Sequence, residues 1–390
     1  MNNDQRLVII GGGPAGLATA RAYRQEGGRA HVTMLTTEPY APYNRPPLTK
    51  EYLRGEMSRD ELQIEQPEWY GENDVEIRLS TSAAAVHRDR QIVETEDREE
   101  IPYDTLVLAT GSEPIRIPIP GADDPEILVM RTIENSARLQ DRAAEGSRAV
   151  VVGSGFIGCE AAVSLSLRGA EVTLISLEEA PQKERLGEVV AERIRGWLEG
   201  YGVDLRMGAN LERIERRDDG YGVSMEGGDT VFAETVLFGT GVRARTGLAE
   251  AADLEVDGGV VTDSAMRTSA PGIFAVGDIA RAYNESAERH LRVEHWGDAL
   301  EHGRIAGTVI AGGEAAWAMA PGFWSTIGDR TLKYWAWGDG WDELLFEADG
   351  ESFTARYGKD GILVGILAHG SDEAYEAGKQ EIEAGAPFPG

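Results

Sequence analysis

Apolar and polar positions fall in blocks along this chain, and the order of the blocks repeats. Leu7-Val8-Ile9-Ile10 is an unbroken apolar run, the mark of a strand buried on both faces. Gly11 to Gly16 follows, and the small-residue segment Leu17 to Gln25 predicts a helix. His31-Val32-Thr33-Met34-Leu35 predicts a second strand. Residues 62–68 read as polar connection. Val75 to Leu79, Ala85-Val86, Gln91-Ile92-Val93 and Ile101-Pro102-Tyr103 read as short strands, with the last two forming a meander. Leu106-Val107-Leu108-Ala109-Thr110-Gly111 is a buried strand ending in a small-residue turn, and a proline-rich crossing from Pro114 to Pro125 reads as a linker.

The opening order then returns. Ala149-Val150-Val151-Val152 is a strand, Gly153 to Gly158 a second glycine-rich turn, Ala161 to Leu167 a helix and Glu171 to Ile175 a strand. Glu188 to Leu198 predicts a helix, and 203–236 a second meander turned at Asp218-Asp219-Gly220. Leu-Ala-Thr-Gly at 108–111 is echoed by Phe-Gly-Thr-Gly at 238–241, and Gly11 and Gly153 lie 142 residues apart. A whole domain type is repeated. Gly259 to Thr262 leads to a buried strand that ends in Val276-Gly277-Asp278, and a helix is expected from Ala299 to Ile310. From about 320 the chain turns aromatic, with Trp324, Trp335, Trp337 and Trp341 close together, and predicts a small β domain with one helix. The expected fold is α/β: two Rossmann-like dinucleotide-binding domains (three-layer β/β/α) plus a C-terminal α+β domain. The expected boundaries are 1–120 with 246–320, then 121–245, then 321–390.

Both glycine turns have GxGxxG spacing between a strand and a helix. Gly11 permits the tight turn, Gly13 lets the backbone approach a pyrophosphate, and Gly16 lets helix and strand pack closely. The helix start offers free N–H groups to the phosphates. Gly153, Gly155 and Gly158 repeat the set. Glu38 lies 22 residues past Gly16, near the spacing at which an acid meets an adenosine ribose; the alternative reading is an acidic loop residue. Pro42 to Lys50 is a stiff segment that can aim Arg45 and Lys50 at a cofactor, or serve as a rigid loop. Asp278 ends a buried strand where a cofactor would cross the sheet, a place also suited to a helix cap. His at a helix start is more often structural than catalytic, but the Trp296 adjacent to His295 offers a flat neighbour for a flat ring.

Composition narrows the chemistry. At 390 residues the chain expects two or three domains. No apolar stretch is long enough for a membrane, and Met1 to Arg6 runs directly into the first strand, so no signal peptide is expected and a cytoplasmic protein is. A net charge of −29 argues against nucleic acid or an anionic membrane. Cys159 is the single cysteine, which excludes an internal disulfide, a cysteine-based metal site and a redox-active dithiol. Cys159 itself reads as a buried helix residue. No metal ligand set is expected.

The motifs in order resemble the ferredoxin- and rubredoxin-reductase branch, related to apoptosis-inducing factor, of the FAD-dependent pyridine nucleotide-disulfide oxidoreductases. The resemblance spans residues 6 to about 335. It rests on Arg45-Pro46-Pro47-Leu48-Thr49-Lys50, Leu108-Ala109-Thr110-Gly111, Gly155-Phe156-Ile157-Gly158-Cys159-Glu160, Ile273 to Asp278, Glu294-His295-Trp296 and Phe323-Trp324-Ser325. It implies FAD on Gly11, Gly13, Pro14, Ala15 and Gly16, with the ribose near Thr37 and Glu38. Arg45, Lys50, Ala83, Thr110 and Gly111 would approach the flavin, Asp278 its ribityl chain, and Glu294, His295 and Trp296 the pyrimidine side. NADH would lie on Gly153, Gly155, Ile157 and Gly158, with Gly241 and Ser176 contributing. Phe156 would cover the flavin face until nicotinamide displaces it. Lys50 and Glu160 match a family ion pair beside the flavin N5, and Trp324 an aromatic of the same pocket.

The implied reaction is hydride transfer from NAD(P)H to flavin, then electron transfer to a small redox protein or a small-molecule acceptor. Orienting the two rings can lower such a barrier by roughly 7–11 kcal/mol. Ser176 stands 18 residues past Gly158, where NADH-preferring relatives usually carry an acid; it could hydrogen-bond a ribose hydroxyl or leave space for a 2′-phosphate. Lys183 and Arg185 could meet a 2′-phosphate, but Glu178 and Glu179 would repel it, which leans the expectation to NADH. Thr326 stands where Asp is more usual in the family. A strongly acidic reductase would repel an acidic carrier at long range, which leaves open reduction of a quinone, radical or oxygen. An NADH-responsive binding protein of the apoptosis-inducing-factor kind, or a homodimer, also remains open.

Overall fold

The computed structural model describes residues 5–390, so the first part of the Met1–Arg6 lead-in lies outside the described residues. The chain forms two compact units. The first gathers the chain up to Asn44, Gln63–Glu113 and Ala244–Phe323; the second gathers Arg45–Leu62, Pro114–Arg243 and Trp324–Gly390.

The first unit is built on a five-stranded parallel sheet in the order Ile273–Ala275, Thr105–Leu108, Arg6–Ile10, His31–Leu35, Val75–Arg78. Strands this buried must satisfy their polar backbone within the ladder, and β-branched residues fill the layer between the faces. Pro14–Gln25 covers one face and is crossed by Trp296–Ile310. The crossing is close because Gly303 and Gly307 lie one turn apart. A Cβ on either would come within 2.2 or 2.4 Å of the carbonyl of Ala15 or Thr19. The meander expected from 91–93 and 101–103 forms as Ile92–Thr95 and Glu100–Pro102, and Ala83–His87 joins it as a third antiparallel strand. The polar connection at 62–68 contains more structure than expected, since Pro67 starts the short helix Pro67–Glu72.

The second unit repeats the plan with the parallel order Asp204–Met207, Glu171–Ser176, Arg148–Val152, Thr235–Phe238, Leu128–Val129. The stretch 203–236, expected to be all meander, divides. Leu211–Arg217, Gly220–Met225 and Thr230–Ala233 form the antiparallel ribbon, while its two ends join the parallel sheet. Val150, Val152, Ile175, Val223 and Phe238 share one buried core, which ties the ribbon to the sheet. The aromatic tail forms a five-stranded sheet closed by the helix Asp372–Glu383. Trp335 stacks on Tyr375 of that helix at 5.3 Å between ring centres. The Tyr357 hydroxyl donates to the Leu186 carbonyl (3.0 Å), and Trp341 Nε1 to that of Arg185 (3.0 Å), so the tail packs on the second glycine-motif fold. Among the described residues no helix is long and apolar enough to cross a membrane.

Candidate active site

Each glycine turn has the geometry a phosphate cradle requires. Gly11 sits at φ +128°, and a Cβ there would come within 2.1 Å of the Ala109 carbonyl oxygen. Gly153 sits at φ +103°, with its Cβ position 2.5 Å from the Gly239 carbonyl oxygen. The third glycines, Gly16 and Gly158, place theirs 2.3 and 2.0 Å from the carbonyls of Gly11 and Gly153. Helix and loop can therefore touch only without side chains. At Gly13 nothing lies within 4 Å of that position. The helices Pro14–Gln25 and Phe156–Leu167 both follow a glycine at the N-cap, Gly13 and Gly155, which has no side chain to cap them. Open space at Gly13 suits a pyrophosphate before the first helix; at Gly155 the same position is in ordinary contact, 3.8 Å from both Gln182 Nε2 and the Gly239 carbonyl oxygen, and the second helix start offers the same dipole.

Around the first turn the structure gathers several predicted residues. Glu38 is half-buried, and its Oε2 accepts from the Tyr43 hydroxyl at 2.5 Å, which aims the carboxylate; Thr37 beside it is exposed. Gly277 adopts φ +74°, and its Cβ position lies 2.9 Å from Ala15 Cβ, which brings the following Asp278 to the glycine-loop helix. Asp278 Oδ2 accepts from Ser112 Oγ at 2.6 Å. Thr110 Oγ1 donates to the Arg245 carbonyl, and Gly111 turns at φ +68°. Ala83 is half-buried at the start of its strand.

His295 occupies the N-cap position of the helix that Trp296 begins, without a side-chain capping bond; its Nδ1 lies 3.2 Å from Asp298 Oδ2, and its ring packs on Phe323 at 4.9 Å. Glu294 is exposed and paired with Arg292 at 2.5 Å. One turn past Asp298, His302 is wholly buried against Trp317, and neither ring nitrogen has a partner. Burial lowers its pKa, against the pull of Asp298, Glu301 and Asp278.

The second unit contains a buried ion pair. Lys50 Nζ donates to Glu160 Oε2 at 2.9 Å, and the two side chains are 8% and 4% exposed. Thr49 Oγ1 also donates to Oε2 (2.5 Å), while Ser325 Oγ (2.8 Å) and the Thr326 N–H (3.1 Å) donate to Oε1. The carboxylate thus has two donors on each oxygen, the arrangement that lets a charge remain buried. Phe156 lies on the same helix one turn before Glu160, with Ile157 exposed beside it. Trp324, next to Ser325, is 45% exposed. Arg45 Nη1 donates to the Arg131 carbonyl at 2.6 Å, which ties the proline-stiffened segment to the second unit. Gly241 turns at φ +92° with open space before it. Ser176 is buried, with its Oγ 2.8 Å from Ser154 Oγ.

Thr49, Ser325 and Thr326 as donors to Glu160 were not read from the sequence. Ser325 lies in a recognised motif, but a hydroxyl aimed at a distant carboxylate leaves no periodic trace, and Thr326 contributes a main-chain N–H that any residue but proline could supply.

Residues 5–303 match the family model described as pyridine nucleotide-disulphide oxidoreductase. The chain belongs to this family. It is 32% identical to the rhodocoxin reductase of Rhodococcus erythropolis over 328 residues, 84% of this chain and 77% of the relative. It is 31% identical to the rubredoxin-NAD(+) reductase of Pseudomonas putida, over 84% of this chain and 85% of that one. The reductase of a covalent putidaredoxin reductase–putidaredoxin complex, at 29% identity, matches with a TM-score of 0.94 over 99% of this chain and 94% of its own. This chain has no pair of cysteines to form an internal disulfide. Its one thiol, Cys159, is fully buried, and burial, with Glu160 and Glu178 nearby, raises its pKa strongly.

Proposed function

We propose that this protein is an FAD-dependent NAD(P)H oxidoreductase that passes electrons to a small redox protein without a dithiol. The observation that carries this reading is the presence of two glycine cradles and a buried Lys50–Glu160 pair in a chain that has one cysteine. FAD, when bound, takes up a hydride from the reduced nicotinamide and gives its electrons singly to a carrier. The first turn, from Gly11 to Gly16 with Thr37, Glu38, Ala83 and Asp278, is assigned to FAD. Gly153, Gly155, Ile157, Gly158, Ser176 and Gly241 are assigned to the nicotinamide dinucleotide.

The remaining roles belong to side chains. Lys50 is held in place by Glu160, whose carboxylate is in turn oriented by Thr49 and Ser325. His295 and Trp296 open a helix whose N-terminal N–H groups favour negative charge on a flavin pyrimidine edge. Arg45, Thr110, Gly111 and Glu294 are assigned to orienting the cofactor. Phe156 and Trp324 are assigned to shielding the reacting face from water. The names of the similar rhodocoxin, rubredoxin and putidaredoxin reductases support a small redox-protein carrier as the acceptor, and the cytoplasm as the place of action fits a nicotinamide-driven reductase.

Anaerobic mixing of the FAD-loaded protein with NADH, then with a [2Fe–2S] ferredoxin or a rubredoxin, tests this. Fast flavin bleaching followed by carrier-dependent turnover is expected. Slow reoxidation by every carrier, with an NADH-induced change in oligomeric state, would instead favour the apoptosis-inducing-factor type of role.

A further inference from the structure

The acid that reads an adenosine ribose sits about 20 residues beyond the glycine motif and accepts from the ribose 2′-hydroxyl. In the second unit the strand that ends near this spacing is Glu171–Ser176, and its last residue is a serine. Ser176 is not a free hydroxyl. Its Oγ lies 2.8 Å from Ser154 Oγ and accepts from the Glu178 N–H at 3.3 Å, inside a site where both serines are buried.

The carboxylate lies two residues further on. Glu178 folds back over the middle of the Gly153-Ser154-Gly155 turn. Its Oε2 accepts from Ser154 Oγ at 2.8 Å and from the Gln182 N–H at 2.9 Å. Gln182, at φ +60°, turns the chain back, and its side-chain amide donates to the Ser154 carbonyl at 2.9 Å. Both hydrogen bonds to Glu178 use the same oxygen. The carboxylate is therefore fixed in orientation while Oε1 remains an acceptor, and Glu178 is half-buried rather than enclosed.

Serine at 176 and glutamate at 178 are a matched pair. An acid at 176 would place a second carboxylate against the Ser154–Glu178 contact, and two anions sharing one site repel. The small serine removes that repulsion and bridges to Ser154 instead. The cation nearest in sequence is not free for a 2′-phosphate: Lys183 Nζ lies 2.7 Å from Glu179 and 3.7 Å from Glu188.

We infer that Glu178 is the ribose-reading acid of the nicotinamide dinucleotide site, displaced two residues from the strand end and oriented by Ser154, and that it selects NADH against NADPH. This rests on the assignment of the second glycine turn to the nicotinamide dinucleotide. A carboxylate accepting from the 2′-hydroxyl favours the unphosphorylated ribose and repels a 2′-phosphate.

The test is equilibrium binding to the FAD-loaded full chain, by calorimetry, of ADP-ribose and of 2′-phospho-ADP-ribose, which carry no nicotinamide and undergo no hydride transfer. The unsubstituted protein should prefer ADP-ribose at least tenfold. Glu178→Gln keeps acceptors for Ser154 and Gln182 but loses the charge. It should weaken ADP-ribose roughly tenfold and narrow the discrimination. Glu178→Ala should do the same or more, and Ser176→Asp combined with Glu178→Ala should recover the preference by returning the acid to the strand end. An unchanged ratio in Glu178→Gln would overturn the inference, as would loss in both single variants without recovery in the double variant. If the unsubstituted protein binds neither ligand, the nicotinamide-site assignment itself fails. If it binds ADP-ribose and the variants bind it equally well, only the role of Glu178 fails.

Discussion

Replacing Lys50 with methionine keeps the aliphatic stem and removes only the ammonium, so it isolates the charge at the Glu160 pair. The structure sets the size of the effect. Lys50 is one of the donors to a carboxylate that is 4% exposed, and three neutral donors remain: Thr49 Oγ1, Ser325 Oγ and the Thr326 N–H. Breaking a buried pair from one side costs about 3–5 kcal/mol when the survivor is left uncompensated. Here the survivor keeps its hydrogen bonds, so Lys50→Met should cost about 2–3 kcal/mol. Glu160→Leu should cost more, about 3–5 kcal/mol, because Lys50, Thr49, Ser325 and Thr326 all lose their shared acceptor. The assay is urea unfolding of the FAD-loaded protein, followed by far-UV circular dichroism and flavin fluorescence, with the double variant closing the cycle. The same variants in stopped flow should bleach the flavin more slowly with NADH. A coupling energy near zero between positions 50 and 160, together with an unchanged bleaching rate, would refute the assignment.

Gly153→Ala should abolish ADP-ribose binding while FAD stays bound, and should destabilise by about 2 kcal/mol or more, because the new Cβ meets the Gly239 carbonyl in a backbone region unsuited to alanine; retained binding by calorimetry would contradict the cradle. His302 is buried with a lowered pKa, so the unfolded chain takes up its proton first as pH falls. Stability should be intact above about pH 6.5 and fall by up to about 1.4 kcal/mol per pH unit below it, until the folded-state pKa is passed. His302→Leu should flatten that slope and match or exceed the parent at pH 7.5, since it removes two unpartnered buried nitrogens. Cys159 should not react with a disulfide reagent in the native protein and should react fully in denaturant; fast native labelling would contradict its burial.

The glycine turns were legible because their chemistry is local: a strand, three glycines and a helix lie within about a dozen residues and leave a fixed spacing. The repeat at Gly153 was legible for the same reason. The parallel sheets followed from unbroken apolar runs such as Leu7–Ile10 and Ala149–Val152. The ends of 203–236 were misread because Asp204–Met207 and Thr235–Phe238 are as short as ribbon strands, and only partners far away in the chain make them parallel. The short helix Pro67–Glu72 was missed because one turn shows little periodicity. Within the site, Lys50 and Glu160 stood out through motifs, whereas the hydroxyls of Thr49 and Ser325 that satisfy Glu160 depend on chain segments more than a hundred residues away. Glu178 was visible only as an acid that would repel a phosphate. Its orientation comes from Gln182 turning back at φ +60°, which no composition or spacing announces.

The central claim is that electrons leave this protein from its flavin, with no second redox centre of its own. Anaerobic titration of the FAD-loaded protein with NADH, followed by flavin absorbance, tests it most directly. One equivalent of NADH per FAD should complete the bleaching, and adding an oxidised [2Fe–2S] ferredoxin or a rubredoxin should restore the oxidised spectrum. A requirement for two equivalents, or a flavin that NADH leaves oxidised, would contradict the account.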